Sequence, residues 1–187
     1  MARIFIFSGP SGAGKSTIIS ELKQRLPNLW FSVSCTTRKP RDGEENGTDY
    51  HFITQAEFDE MINADGFLEY DPHLGASYGT PAKPLEKALA DGFDAILDIE
   101  TTGAANVLKK IPEAVTVFIW PGSFELLEER LRGREGNKMS EEQIASRLEK
   151  ARKELDEIGF YRYTVINNIL DRAVAECEAI IREERLK

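Results

Sequence analysis

The chain has 187 residues, of which 41% are hydrophobic, and this size and composition predict one compact domain around a single core. Its formal charge is −8 with a pI near 5.0, which argues against a nucleic-acid-binding surface because such surfaces need clustered positive charge. The two cysteines, Cys35 and Cys177, are too far apart in sequence for a disulfide framework and favour a reducing, cytoplasmic location.

The first predicted element is a short buried strand at 4–7, an apolar run far below the roughly 18 residues of a membrane span. A glycine-rich turn follows at 9–16. Residues 16–25 then carry Ile18, Ile19 and Leu22 on one side, which predicts a helix. The order is therefore strand, loop, helix.

Residues 31–36 alternate in polarity, and this alternation predicts one half-buried strand. Ser32, Ser34 and Thr36 would lie on one face, with Phe31, Val33 and Cys35 on the other. Between about 34 and 83 the chain becomes rich in Pro, Gly and aromatic residues, which favours an inserted lobe with small β-strands.

Three further strands are predicted at 95–98, 115–120 and 164–167, and a helix at 171–184. Their alternation with helical stretches predicts an α/β fold with a parallel sheet. The stretch 124–157 is rich in Arg, Glu and Lys, and Ser140 with Gln143 forms a capping-box pattern there. Its few apolar residues favour a mobile helical cover.

The turn at 9–16 reads GPSGAGKS and matches GxxxxGK[ST], the phosphate-binding P-loop. Its glycines let backbone N–H groups surround phosphate oxygens, and the following helix N-terminus adds partial positive charge. Lys15 would reach the transferring phosphate and Ser16 would offer its hydroxyl to Mg²⁺. The motif predicts a sheet core of the P-loop NTPase type, with helices on both faces.

A second candidate for the metal is Asp98, which ends the predicted strand at 95–98. In many P-loop enzymes an acid in this position completes Mg²⁺ binding. A carboxylate that only caps a turn is the alternative interpretation.

The segment 36–44 reads TTRKPRDGE and is followed by Gly47, Asp49, Tyr50 and Phe52. It resembles the guanylate kinase signature TTRxPRxGExxGxDYxF. Further similar segments follow in family order at 67–69, 78–80, 97–99, 103–104, 130–134, 147–148 and 167–168. The resemblance covers essentially the whole chain and implies the reaction ATP + GMP giving ADP + GDP.

The resemblance implies that GMP binds Ser34, Arg38, Arg41, Tyr50, Glu69, Tyr78, Thr80 and Asp98. The carboxylate of Glu69 would accept both N1–H and the 2-amino group of guanine, whereas adenine has an acceptor at N1. The guanidinium groups of Arg38 and Arg41 suit the GMP phosphate. Asp98 thus has two alternative roles, towards the metal or towards the nucleotide.

On the ATP side, Arg134 and Arg147 correspond to lid arginines that approach the transferred phosphoryl group, with Arg130 as a possible assistant. Asn168 corresponds to a position that contacts adenine, although Asn167-Asn168 also suits a simple turn. The implied catalytic residues are Lys15, Arg41, Arg134 and Arg147. The implied ATP-binding residues are Gly9, Ser11, Gly12, Ala13, Gly14, Lys15, Ser16, Thr17, Arg134 and Asn168.

The implied organisation is one domain, 1–187, with a core at 1–33, 84–123 and 158–187, a GMP-binding lobe at 34–83 and a lid at 124–157. The expected partners are ATP, Mg²⁺ and GMP or dGMP, without nucleic acid or membrane, and the oligomeric state stays open. The chain departs from the family pattern at 100–102, 74–77 and 136–138.

Two alternatives compete with this interpretation. A non-catalytic guanylate-kinase-like module would use the small lobe to bind a phosphorylated partner, but the intact Lys15 and Ser16 argue against it. The second alternative is a P-loop kinase that acts on AMP or on ribose bisphosphate. The presence of Arg38 and Arg41 together with Glu69 favours GMP over these two acceptors.

Overall fold

The computed structural model describes residues 2–71, 75–133 and 139–187. The strands in this part of the chain are β1 Ile4–Ser8, β2 Leu29–Ser32, β3 Cys35–Thr36, β4 His51–Phe52, β5 Phe67–Asp71, β6 Tyr78–Pro81, β7 Asp94–Asp98, β8 Val115–Trp120 and β9 Tyr163–Ile166. The helices are α1 Lys15–Arg25, α2 Gln55–Asn63, α3 Ala82–Ala90, α4 Thr101–Lys110, α5 Phe124–Arg132, α6 Glu141–Asp156 and α7 Leu170–Arg185.

The main sheet has five parallel strands in the order β2-β7-β1-β8-β9. Alternate residues of β1 face opposite sides, so Phe5 and Phe7 pack with α1 and α7, whereas Ile4 and Ile6 pack with α3, α4, α5 and α6. Because both faces are covered, the strands read as continuous apolar runs. The predicted α/β fold is confirmed, and the six predicted strands and helices named for this core end within one residue of those observed.

A second sheet has four strands in the order β4-β3-β6-β5, and all of them come from residues 35–81. It is mixed, since β3 pairs with β4 in parallel and with β6 in antiparallel orientation. Helix α2 covers it through Phe58, which is fully buried beside Cys35 and Phe67. Thr54 and Glu57 cap the start of α2 reciprocally.

The single strand predicted at 31–36 is wrong. β2 ends at Ser32 on the edge of the main sheet, and β3 begins at Cys35 in the second sheet. Val33 and Ser34 carry the chain across, and the neighbours Cys35 and Thr36 are both buried. An alternating pattern records which residues are polar but not which strands they pair with, so two short strands in succession resembled one.

The capping box predicted at Ser140 and Gln143 is present, and it begins helix α6. α6 packs on α5 and buries Ile144, Ala151 and Glu154. No helix in the described ranges is long and apolar enough to cross a membrane. Cys35 and Cys177 are both buried and unbridged.

Candidate active site

A cavity of about 530 Å³ opens at the carboxyl ends of β1 and β7, between the loop after β1, the second sheet and α6. Many of the residues predicted from the sequence line it: Gly9, Ser11, Gly12, Gly14, Lys15, Ser16, Thr17, Ser34, Arg41, Tyr50, Glu69, Tyr78, Asp98 and Arg147. Ala13, Arg38, Thr80 and Asn168 do not line it. Arg134 lies outside the described residues, as do Leu74 and the segment 136–138.

The loop at 9–14 joins the buried strand β1 to α1, as the motif predicts. Gly14 is the N-cap of α1, and no side chain caps this helix end. The first N–H groups of α1 therefore remain available to an anion. The ammonium group of Lys15 donates to the carbonyl of Gly9 at 2.6 Å, so the lysine folds back over its own loop.

Asp98 ends β7 and lies beside β1 in the register that pairs Phe7 with Asp98. This pairing brings its Oδ1 to 3.7 Å from the Lys15 Nζ. Burial raises the pKa of the Asp98 carboxyl, while the charge of Lys15 opposes the rise. A carboxylate and an ammonium therefore meet directly below the phosphate-binding loop.

Glu69 lies on β5 with only 7% of its surface exposed. The hydroxyl of Thr80, the residue opposite on β6, donates to its Oε1 at 2.6 Å. On the other side Gly103 of α4 packs so closely that an added Cβ would lie 2.7 Å from Oε2. Burial raises the pKa of Glu69, and the bond from Thr80 partly offsets this. The carboxylate is thus fixed in orientation at the wall of the cavity.

Arg38 and Arg41 occupy different environments. Arg38 forms a two-point pair with Glu44, with N···O distances of 2.6 and 2.6 Å, and its guanidinium lies 4.8 Å from the Tyr50 ring centroid. The hydrogen bonds that Glu44 accepts from Arg38 hold the pKa of Glu44 at about 2, although its partial burial acts to raise that pKa. Arg41 lines the cavity instead, while its backbone N–H also donates to Glu44.

Glu44 is a functional neighbour that sequence reasoning missed as a site residue, although it stands in the same signature segment. Its carboxylate binds both Arg38 and the backbone of Arg41, so it fixes the loop that carries both arginines. The signal was present in the spacing, since a glutamate three residues after Arg41 can reach back to accept its backbone N–H.

Helix α6 contributes three charged groups to the cavity. Arg147 donates to the hydroxyl of Ser11 in the loop. Lys150 binds both carboxylate oxygens of Glu100 at 2.7 Å, which joins α6 to the start of α4. Glu154 lines the same wall and is 7% exposed, and burial raises its pKa. The departure from the family pattern at Glu100 therefore coincides with a contact to the predicted lid.

Arg130 and Asn167 lie behind the loop. Asn167 is 3% exposed and donates from Nδ2 to the carbonyl of Ala13 at 2.8 Å. Arg130 donates to the carbonyl of Asn167 at 2.7 Å and to that of Ala13 at 3.5 Å. Asn168, the predicted adenine contact, is exposed beside them.

A P-loop at the end of a parallel sheet, with a strand-end carboxylate beside its lysine and a facing small sheet, defines the class of P-loop phosphotransferases. A family model described as guanylate kinase matches residues 1–184. A guanylate kinase of Carboxydothermus hydrogenoformans is 47% identical over 184 residues, covering 98% of this chain and 89% of that protein. The chain belongs to the guanylate kinase family.

Other relatives agree with this assignment. A guanylate kinase of Thermus thermophilus is 43% identical over 183 residues, covering 98% of this chain and 82% of the relative. The crystal structure of guanylate kinase from Anaplasma phagocytophilum has a TM-score of 0.82 at 29% identity, covering 100% of this chain and 87% of that one.

Proposed function

We propose that the chain transfers the terminal phosphoryl group of ATP to GMP, giving ADP and GDP. The observation that carries this is the buried, oriented carboxylate of Glu69, which shares one cavity with the P-loop and Lys15. Family membership supports the same reaction. Glu69 would accept the two adjacent donors of guanine, which no other common base presents in this arrangement.

In the proposed step an oxygen of the GMP phosphate attacks the γ-phosphorus of ATP. The bond from that phosphorus to the bridging oxygen breaks, and ADP leaves with the electron pair. No side chain acts as a nucleophile, since alignment and charge neutralisation supply the rate. The loop N–H groups and Lys15 would hold the ATP phosphates, with Arg147 and, as the sequence predicts, Arg134 at the transferred group.

At the GMP phosphate, Arg41, Tyr50 and Tyr78 line the cavity and would bind the acceptor. Arg38 starts from a different position, because its guanidinium is paired with Glu44. Glu44 takes two of the five N–H donors of this guanidinium, so Arg38 would bind the same phosphate through its other donors or after exchanging these bonds. Ser34 would face the base, and Thr80 would act through its bond to Glu69.

Mg²⁺ fits the oxygen donors at the phosphate end of the cavity. The hydroxyl of Ser16 and the carboxylate of Asp98 both line it, and hard oxygen ligands are those that Mg²⁺ prefers. Bound there, the ion would neutralise charge on the phosphates. We assign Ser16 and Asp98 to hold it, while contact of Asp98 with the nucleotide remains the alternative.

Three further expectations belong to this proposal. dGMP is accepted as well as GMP, since no residue in the sequence obviously reads the 2′-hydroxyl. The core comprises 1–33, 84–123 and 158–187, the GMP-binding lobe comprises 34–83 and the lid comprises 124–157. The second sheet lies inside 34–83, which supports this division. Two buried, unbridged cysteines support a cytoplasmic location.

The test is a coupled assay with Mg·ATP and GMP, dGMP, AMP, UMP or CMP as acceptor, on the unmodified chain and on Glu69→Gln. We expect turnover of GMP and dGMP, and a loss of about 100-fold or more in kcat/KM for GMP in the variant, because the amide cannot accept both donors. Glu60→Gln, an exposed residue of α2, is the matched control and should not change the rate.

Absence of GMP turnover by the unmodified chain would reject the GMP kinase; turnover of AMP would then indicate a kinase for another acceptor, and no turnover of any acceptor would favour the phospho-partner binding module. If Glu69→Gln kept its preference for GMP, the assignment of base recognition to Glu69 would be wrong while the reaction stood.

A further inference from the structure

The outer side of the P-loop is held by two residues from other elements. Asn167 directly follows β9 and donates from Nδ2 to the carbonyl of Ala13 at 2.8 Å. Arg130, on α5, donates to the same carbonyl at 3.5 Å and to the carbonyl of Asn167 at 2.7 Å. The carbonyl of Ala13 thus accepts hydrogen bonds from both Asn167 and Arg130, and Arg130 also binds the backbone of Asn167.

The consequence follows from the planarity of the peptide bond. The carbonyl of Ala13 and the N–H of Gly14 belong to one trans peptide unit, so they point in opposite directions. When the carbonyl is held on the outer side, the N–H of Gly14 must face the inner side, where Gly12, Gly14 and Lys15 line the cavity. The N–H of Ala13 is already used within the loop, donating to the carbonyl of Pro10 at 3.0 Å.

The packing around Gly14 shows how close this contact is. Gly14 has φ of +88°, and a Cβ added there would lie 2.4 Å from Nδ2 of Asn167. Only glycine allows both this backbone conformation and the approach of the asparagine.

The second polar atom of Asn167 indicates why an asparagine is present. Its Oδ1 is buried and has no hydrogen-bond partner among the described residues. Burying such an oxygen is unfavourable, so a contribution to folding explains this residue poorly. The donor Nδ2, in contrast, is placed on the loop.

We propose that Asn167 and Arg130 are positioning residues for phosphate binding: they fix the peptide between residues 13 and 14 so that its N–H already faces the nucleotide phosphates. Donors that are oriented beforehand require no reorganisation when the anion binds. The proposal rests on the proposed function only in taking a nucleoside triphosphate as the ligand. Neither residue lines the cavity, so Arg130 is assigned to the loop backbone instead of the assisting role at the phosphoryl group that the sequence suggested.

The test compares Asn167→Leu, which is nearly isosteric, and Arg130→Met with matched changes at exposed positions, Asn28→Leu and Arg172→Met. Calorimetry measures binding of ADP, tripolyphosphate and GMP, and melting temperature reports folding. We expect both Asn167→Leu and Arg130→Met to lose about 10-fold or more in affinity for ADP and tripolyphosphate, with GMP affinity kept within about twofold. The control variants should bind all three as the unmodified chain does.

Two results would overturn the proposal: unchanged ADP and tripolyphosphate affinity in both variants, or equal losses for ADP and GMP with a lower melting temperature, which is the pattern of general destabilisation. Should Asn167→Leu fail to fold, Arg130→Met decides. Failure of the kinase reaction looks different, because the unmodified chain would then bind ADP and tripolyphosphate but would not phosphorylate GMP.

Discussion

Two carboxylates close to the acceptor side of the cavity respond oppositely to their surroundings. Hydrogen bonds from Arg38 keep the pKa of Glu44 at about 2, so this group is ionised throughout the physiological range. Burial raises the pKa of Glu69, and its hydrogen bonds from Thr80 offset this rise only in part. Of the two, Glu69 is therefore the group whose charge changes with mild acidification.

This difference predicts a pH dependence for GMP. Guanine needs the ionised carboxylate of Glu69, and burial raises the pKa of this group above its ordinary value near ~4.5. We therefore expect kcat/KM for GMP at saturating ATP to fall as the pH drops through this raised pKa. Thr80→Val removes a bond that favours the ionised form and should move the fall to higher pH.

Because the GMP phosphate also titrates near pH ~6, the comparison with Glu69→Gln is essential. Its profile should keep only the limb that belongs to the phosphate. Coincident acid limbs in the two proteins would contradict the assignment to Glu69.

At the scale of single elements, the sequence predicted strands β1, β7 and β8 and helices α1 and α7. Buried parallel strands appear as continuous apolar runs, and amphipathic helices appear as apolar residues at helical spacing. The division of 31–36 between two sheets could not, because strand partners are not a local property. In the site, the residues of the P-loop and of the signature segment 36–44 could be predicted from their motifs. The pairing of Arg38 with Glu44, and of Asn167 with Ala13, depends on contacts between distant or competing groups.

The capping box of α6 gives a prediction at this scale. Ser140→Ala removes the hydroxyl that accepts the N–H of Gln143, and we expect the first turn of α6 to lose about 1 kcal/mol. Amide hydrogen exchange in that turn should quicken roughly fivefold. Ser146→Ala, at an exposed position inside the same helix, serves as control and should leave exchange unchanged or slower. Equal exchange in both variants would show that the cap does not hold the helix start.

At the scale of the whole molecule, an acidic chain places cationic side chains where phosphates would bind. The net charge is −8 and several carboxylates also line the cavity, yet Lys15 and Arg147 lie at the phosphate-binding loop, where the N-terminus of α1 adds partial positive charge. Local field outweighs net charge for a ligand that enters the cavity. An acidic protein can therefore bind two polyanionic nucleotides.

The end of the sheet opposite the cavity is closed by a different set of charges. Glu184 of α7 is fully buried and accepts from the hydroxyl of Tyr163 at 2.6 Å and from Lys187 at 2.7 Å, with Arg162 at 3.2 Å. Asp94 similarly accepts from the backbone of Arg3 at 2.7 Å. Arg185 of α7 pairs with the same Asp94 at 2.5 Å, and Glu184 lies 3.9 Å from the guanidinium of Arg3, so these contacts join the last helix to the residue before the first strand.

Glu184→Gln should therefore destabilise the chain without harming catalysis. Its cationic partners are partly exposed, so we expect the free energy of unfolding to fall by about 2 kcal/mol, which is less than for an ion pair fully buried from water. The melting temperature should then be lower by about 4–8 °C. Glu183→Gln, whose side chain is 62% exposed, should have little effect. A large rise in KM or a large drop in kcat at temperatures where Glu184→Gln is folded would contradict this separation of stability from activity.

The burial of both cysteines has a practical consequence. Exclusion from water raises the pKa of Cys35 to about 11 and that of Cys177 to about 12, so almost no thiolate exists at neutral pH and both sulfurs are shielded. A cysteine introduced on an exposed position such as Ser146 would react with maleimide dyes far faster than either native thiol. A dye pair on α6 and α2 could thus report distances by energy transfer in an otherwise unaltered chain while nucleotides bind.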